Sequence, residues 1–171
     1  MDLNDQMAVY RSLVRRVIRE RAPMCINNSS PEHATVLIDE LIRSAVSTVD
    51  IYCKRMSADV WGAPSVVDAV RHAIDARVTF RIVAKEQVER HETSVLLSKY
   101  SNAAFRIYAQ DGLPLNVLIV DKEMFRVEPN DGVREGFAYA KCEEMAATAN
   151  ALFEKVWYLG TDVKVKGPTP A

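Results

Sequence analysis

Two polar residues bracket the most apolar run of the chain, and their types could serve a binding site. Asn116 precedes and Asp121 follows the aliphatic residues 117–120. Such a run is typical of a central strand that is covered on both faces. An amide and a carboxylate at its ends would lie near the rim of a sheet, where ligands bind in open α/β folds. Asn116 and Asp121 are therefore candidate ligand-binding residues.

Three cations follow two other predicted strands. Lys54 and Arg55 come directly after the predicted strand 49–53, and Lys85 comes directly after the predicted strand 78–84. If these cations converge with the amide and the carboxylate, they form a cationic patch with one acidic group, which suits a phosphate or the end of a nucleotide. A structural interpretation stays open, in which the carboxylate caps a turn, the amide satisfies a buried backbone group and the cations are solvated.

The first predicted helix, about 3–21, carries a cluster of arginines. Apolar residues recur on one face of it, as in an amphipathic helix. The cluster comprises Arg11, Arg15, Arg16 and Arg19. It is typical of a solvated helix face, with its later members complementing the helix dipole. A nucleic-acid contact and pairing across an oligomer interface remain as alternatives.

No catalytic or metal-binding motif stands out. His72 and His91 have no acidic or cysteine partner that stands out at metal-ligand spacing, and Cys25, Cys53 and Cys142 are far apart. The chain contains no GxGxxG, GxxxxGK[ST], HExxH or GxSxG pattern. We therefore predict no catalytic residue, metal or cofactor.

The bulk composition excludes several classes of protein. The 171 residues are 49% hydrophobic and 26% charged, and the net charge is −1. No global field favours nucleic acid or an anionic membrane, so such a partner would need a local patch. Three scattered cysteines favour a reducing compartment. We expect a soluble cytoplasmic protein without a membrane partner.

Strands and helices alternate along the chain, which predicts a mixed α/β sheet with helices on both faces. The predicted strands are 49–53, 78–84, 104–108, 116–120, 124–127 and 135–139. We divide the chain into an N-terminal amphipathic helix at 1–22, an α/β domain at 23–160 and a flexible tail at 161–171.

The order of these elements over residues 30–158, with the hairpin at 116–127, resembles one phospholipase D-like domain. In that superfamily the strand before the hairpin carries HxKxxxxD, in which the histidine is the nucleophile and the lysine grips the phosphate. If Asp121 is the motif's aspartate, Pro114 occupies the histidine position and Asn116 the lysine position. The resemblance therefore implies a degenerate member without phosphodiesterase activity.

The resemblance implies a binding module for a phosphate-bearing ligand or a protein partner. Members of the superfamily often pair two-fold, so it also implies a homodimer, for which the N-terminal helix offers a surface. Two alternatives come from other classes. One is a nuclease or phosphodiesterase that recruits Asp121 or His91, and the other is a nucleic-acid-binding accessory protein that uses the arginine cluster.

Overall fold

The computed structural model of the protein describes residues 3–110, 115–129 and 135–164. Their helices are α1 (Leu3–Glu20), α2 (Pro31–Arg43), α3 (Ala58–Trp61), α4 (Pro64–Asp75), α5 (Glu92–Lys99) and α6 (Glu143–Leu159). Their strands are β1 (Cys25–Asn28), β2 (Thr48–Cys53), β3 (Thr79–Ala84), β4 (Ala103–Ile107), β5 (Leu115–Val120), β6 (Met124–Pro129), β7 (Gly136–Tyr139) and β8 (Thr161–Asp162). None of these helices is long and apolar enough to cross a membrane.

The strands form one mixed sheet in the order β1-β7-β6-β5-β2-β3-β4-β8. Strands β2, β3 and β4 are parallel neighbours, and helices connect them in the chain. Strand β5 enters beside β2 in the antiparallel direction and continues through a hairpin into β6. The predicted α/β class with a mixed sheet is thus confirmed.

Alternate residues of the central strands pack on opposite faces of the sheet. Ile51, Ile82 and Leu118 belong to the core on the face that α1, α2, α4 and α5 cover. Tyr52 and Ile119 pack with residues of α6 on the other face. This period-two pattern explains why aliphatic residues occupy both faces of the central strands, since each face needs its own core. The prediction of helices on both faces is confirmed.

Helix α1 packs its apolar stripe on the protein's own core. Val14, Val17 and Ile18 are buried there, and α1 lies against α2. The apolar stripe of α1, which was predicted to offer a self-association surface, is therefore buried within the chain itself. The division at residue 22 stays a prediction.

Several short elements differ from the sequence prediction. Strand β1 was not predicted, because four residues with two asparagines show no strand periodicity. Thr161 and Asp162, assigned to a flexible tail, instead pair with β4, and Arg106 Nε bonds Asp162 Oδ1 at 2.8 Å. This correction has a physical reason: the pairing covers part of an otherwise open sheet edge. Residues 165–171 of the predicted tail lie outside the described residues.

Candidate functional site

A cleft of about 280 Å³ lies where the end of β2 meets the start of β5. Tyr52 faces Val117 in the antiparallel pair, so the next residues, Asn116 and the β2–α3 connection, come together at one edge of the sheet. We call it the β2–β5 cleft; the lining residues used below are Lys54, Arg55, Trp61, Asn116, Arg126 and Glu128. The structure thus brings Lys54, Arg55 and Asn116 together as the sequence suggested.

Asn116 bonds the backbone at the mouth of the cleft. Its side-chain oxygen Oδ1 accepts a hydrogen bond from the Lys54 N–H at 3.0 Å. This bond fixes the first residue after β2 against the start of β5. Asn116 therefore shapes the cleft, in the manner of the structural interpretation that the sequence left open.

The cations of the cleft are paired with carboxylates. Lys54 Nζ lies 3.4 Å from Glu86 Oε1, and Arg55 Nε lies 3.2 Å from Glu89 Oε1. All four groups are partly exposed, and such ion pairs contribute about 0–1 kcal/mol. Lys85 is adjacent but does not line the cleft; its backbone N–H donates to the Cys53 carbonyl at 3.0 Å.

The connection after β3 holds the lining segment 54–58 in place. Glu89 Oε2 accepts from the Ala58 N–H at 2.8 Å, and His91 Nε2 lies 3.0 Å from the Met56 carbonyl. His91 Nδ1 accepts from the Ser94 N–H at 3.4 Å, so Nε2 carries the proton and donates. Burial lowers the pKa of His91. The ring is thus a neutral structural donor with both nitrogens engaged.

Arg126 and Glu128 form a part of the cleft wall that was not among the candidate site residues predicted from the sequence. Arg126 is 4% exposed; its Nε bonds Asn28 Oδ1 at 3.2 Å and its Nη2 bonds Glu128. The sequence carried a signal for this, because residues two apart on a strand share a face of the sheet. Met124, Arg126 and Glu128 therefore lie on one face of β6. The charge of Arg126 is compensated by Glu128, so the wall carries a buried ion pair.

Asp121 lies at the opposite end of β5 from the cleft. Five residues of extended chain separate it from Asn116, which is about 17 Å. Its carboxylate accepts from the N–H groups of Val46, Ser47 and Thr48 at 2.8–2.9 Å and from Ser47 Oγ at 2.9 Å. The structure does not bring Asp121 together with the cleft residues.

The environment of Asp121 favours its charged form. Burial alone would raise its pKa, but the hydrogen bonds from Thr48, Val46 and Ser47 outweigh burial and hold the pKa below its ordinary value. Asp121 and Lys122 both adopt positive φ, 52° and 61°, in the tight turn that joins β5 to β6. The carboxylate ties this turn to the segment before β2.

Two of the predicted nucleic-acid contacts are engaged within the protein. Arg11 pairs with Asp39 and Glu40, and Arg15 Nη2 lies 2.7 Å from Glu40 Oε1. Arg16 is exposed, and Arg19 pairs with its neighbour in the chain. The ion pairs of Arg11 and Arg15 with Asp39 and Glu40 hold α1 against α2.

The cleft offers no activated thiol or metal site among its described residues. Burial raises the pKa of the Cys53 thiol to about 12, so it stays protonated near neutral pH. No group of three or more His, Cys, Asp or Glu side chains converges on a metal position within residues 3–110, 115–129 and 135–164.

Solved structures with the same architecture support the sequence resemblance. The phospholipase D family member Nuc from Salmonella typhimurium superposes with a TM-score of 0.63, over 82% of this chain and 98% of Nuc, at 19% identity. The fold is phospholipase D-like.

A second similar structure is that of TrmBL2, an archaeal chromatin protein described as showing a novel mode of DNA binding. Its TM-score is 0.63 at 14% identity, and the match covers 94% of this chain and 64% of TrmBL2. No protein-family model matches the sequence, and a search of curated proteins found no match. At these identities the likeness concerns the fold alone.

Within the phospholipase D-like fold, the motif positions of the resemblance fall at two separate places. Asn116, at the lysine position, lies in the β2–β5 cleft, and Asp121, at the aspartate position, lies in the turn. Pro114, at the histidine position, lies outside the described residues.

Proposed function

We propose that the protein is a non-catalytic phospholipase D-like module that binds a phosphate-bearing ligand in the β2–β5 cleft. One observation carries the proposal: the residue at the motif's lysine position is Asn116, whose oxygen bonds the Lys54 backbone. An amide in this role brings no charge to a developing oxyanion, so phosphoryl transfer loses a main source of transition-state stabilisation.

The state of the nearby nucleophile candidates supports the absence of hydrolysis. Both His91 nitrogens are engaged, with Met56 and Ser94, and the Cys53 thiol is protonated. Asp121, the other residue available to an unorthodox enzyme, bonds the backbone about 17 Å away from Asn116. An attack on phosphorus would need one of these groups to be released first.

The exposed ion pairs of the cleft support phosphate binding. Among the described residues, the side chains of Lys54 and Arg55 pair with Glu86 and Glu89, in weak, partly exposed contacts. Exchange of these partners for a phosphate costs little, because a dianion offers more acceptor oxygens and the Arg55 guanidinium can bond two of them at once.

The test is a titration with labelled single- and double-stranded oligonucleotides over a range of salt, with magnesium present so that cleavage is measured in the same samples. We expect salt-sensitive binding without cleavage. The double variant Lys54→Gln/Arg55→Gln should weaken binding, whereas Lys99→Gln, an exposed lysine on α5, should not.

Each other outcome contradicts a separate part of the proposal. Cleavage overturns the non-catalytic assignment. Binding that is indifferent to salt overturns phosphate recognition, and binding unaffected by the double variant overturns the location. No binding at all would favour a protein-interaction module, whose partner a pull-down would recover.

Self-association is a further part of the proposal and rests on the two-fold pairing that the resemblance implies. The apolar stripe of α1 is buried within the chain, so we do not assign the interface to that stripe. Light scattering after size exclusion should give twice the mass of one chain. A single-chain mass at high protein concentration contradicts this part and leaves the cleft assignment intact.

Nucleic acid is a second candidate ligand, favoured by the DNA binding described for TrmBL2. On α1, Arg16 and Arg19 remain exposed to solvent, whereas Arg11 and Arg15 pair with α2. If α1 contacts a nucleic acid, Arg16→Gln/Arg19→Gln should lower the slope of log affinity against log salt by about two. An unchanged slope would exclude α1 from the contact.

We also propose a cytoplasmic location. Cys25, Cys53 and Cys142 are all free thiols in the structure, which supports a reducing compartment. Localisation of a tagged full chain tests this, and recovery outside the cytoplasm would contradict it.

A further inference from the structure

A second cavity lies at the opposite end of the β5–β6 hairpin from the cleft. Its volume is about 470 Å³, against 280 Å³ for the cleft. We call it the turn cavity; the lining residues used here are Arg21, Lys122, Glu123, Lys141, Cys142 and Ala146. None of these lines the β2–β5 cleft. The two cavities are therefore separate places on the protein.

Three cations from three segments of the chain converge on the turn cavity. Arg21 follows α1, Lys122 lies in the β5–β6 turn and Lys141 precedes α6. Within the described residues, neither lysine forms an ion pair, although the charge of Lys122 adds to that of Arg81 in lowering the pKa of Glu154. Arg21 and Lys122 both adopt positive φ, 50° and 61°, and these turns direct the chain around the cavity. The positive charge of the turn cavity thus comes from three chain segments that the fold brings together, and not from one face of a helix.

Arg21 has unused hydrogen-bonding capacity at this place. Its Nη1 is the one buried side-chain nitrogen or oxygen of the described residues without a hydrogen bond. Glu123 Oε2 lies 3.3 Å from it as an ion-pair partner, on a side chain that is 68% exposed. A buried donor that makes no hydrogen bond costs free energy, and an incoming anion would supply the missing bond.

The floor of the turn cavity is made of small side chains. Ala140 and Ala146 are buried, and Ala147 lies beside them on α6. Asn150 Nδ2 donates to the Lys122 carbonyl at 2.8 Å and so holds the turn against α6. Glu143 also lines the cavity, so its three cations face two carboxylates, and the start of α6 adds further positive potential.

We propose that the turn cavity binds a small molecule through a phosphate group. A phosphate offers several oxygens in different directions, which matches one guanidinium and two ammonium groups that approach from separate segments. The volume lies within the range of small-molecule sites. Glu123, exposed and held by a single pair, turns towards solvent when the phosphate takes its place beside Arg21.

The probe for this site is inorganic pyrophosphate, titrated into the full chain at low salt and followed by amide NMR and calorimetry. We expect the largest shifts at Lys122, Lys141 and the first turn of α6. Lys122→Gln and Lys141→Gln should each weaken binding about fivefold. Ala147→Leu, which narrows the cavity without a change of charge, should also weaken it.

The matched control is Lys54→Gln/Arg55→Gln in the other cavity, which removes any pyrophosphate signal from the β2–β5 cleft and should leave the NMR shifts at Lys122, Lys141 and the first turn of α6 unchanged. Binding lost in that control, and kept in the Lys122 and Lys141 variants, would overturn the proposal and assign pyrophosphate to the β2–β5 cleft. The absence of shifts at millimolar pyrophosphate would overturn it as well. Neither result depends on oligonucleotide binding, so this site and the proposed function fail separately.

Cysteine chemistry gives an independent measurement. Cys142 lines the turn cavity, and Cys25 is an exposed thiol outside it. Pyrophosphate should slow alkylation of Cys142 by iodoacetamide and leave the rate at Cys25 unchanged, with both rates measured by mass spectrometry. Equal rates at Cys142 with and without pyrophosphate would contradict a ligand in this cavity.

Discussion

Asp121 provides the sharpest test of the structure, because the sequence suggested a ligand-binding role, whereas the structure shows its carboxylate bonded to the backbone. Its carboxylate accepts four hydrogen bonds, from the N–H groups of Val46, Ser47 and Thr48 and from Ser47 Oγ. Hydrogen bonds to a charged group contribute about 1.5–3 kcal/mol each. Water reaches several of these donors, so the total is smaller than the sum.

Three substitutions separate what the hydrogen bonds and the positive φ of Asp121 each contribute to the free energy of unfolding. Asp121→Asn keeps an acceptor oxygen and tolerates the positive φ of 52°, so we expect a loss of about 1–2 kcal/mol in the free energy of unfolding. Asp121→Ala removes every bond and adds the strain of a left-handed alanine, for a loss of about 3–4 kcal/mol. Asp121→Gly removes the bonds without that strain and should fall between them.

The assay is urea denaturation followed by circular dichroism, with Asp75→Asn, an exposed carboxylate on α4, as the control. We expect the midpoint to shift without a change of slope. A loss below about 0.5 kcal/mol for Asp121→Ala would refute the assignment. Loss of ligand binding at unchanged stability would restore the ligand-binding role.

The pH dependence of Asp121 has a definite sign. Its folded-state pKa lies below the ordinary value of 3.8, so the charged carboxylate stabilises the protein fully above that value. This stabilisation is lost as the pH falls through the folded-state pKa. The stability difference between the wild type and Asp121→Asn should therefore be constant near neutral pH and shrink below about pH 4. A stability difference that grows as the pH falls would contradict the hydrogen bonds assigned to the Asp121 carboxylate.

Other ion pairs lead to further predictions. Arg81→Met leaves the Asp50 carboxylate, 1% exposed, without its bonds at 2.6 and 2.7 Å, and we expect urea melts to show a loss of about 3 kcal/mol. The added change Asp50→Leu should recover much of that loss; a further decrease would contradict the ion pair. Glu40→Gln weakens the docking of Arg11 and Arg15, for about 1–2 kcal/mol in the same assay. Burial alone would raise the pKa of Glu40, but the bonds from Arg15 and Arg11 outweigh burial and lower it. The loss should therefore be full above the ordinary 4.5 and shrink as the pH falls through the lower folded-state pKa; a loss that grows on acidification would contradict the pairing.

The central sheet could be predicted because its strands carry strong local signals. The apolar residues of β2, β3 and β5 are buried on both faces, so aliphatic runs mark them in the sequence. Strands β1 and β8 have no such signal, since they lie at the sheet edges and owe their conformation to pairing with β7 and β4. Tertiary pairing determines these short elements.

The candidate site could be predicted only in part. Lys54, Arg55 and Asn116 come together because β2 and β5 are antiparallel neighbours, and the sequence suggested their convergence from the positions of strand ends. Asp121 was grouped with them, although a strand of six residues places its two ends about 17 Å apart. The number of residues between Asn116 and Asp121 could be read from the sequence, but the backbone N–H groups that bond the Asp121 carboxylate could not.

The aspartate of the hairpin therefore has a structural role in this fold. A carboxylate that bonds three backbone N–H groups stabilises the fold whether or not the protein hydrolyses anything. An aliphatic strand that ends in aspartate consequently indicates this fold better than it indicates phosphodiesterase activity. The proposed absence of catalysis therefore rests on Asn116, whose amide oxygen bonds the Lys54 N–H, and not on Asp121.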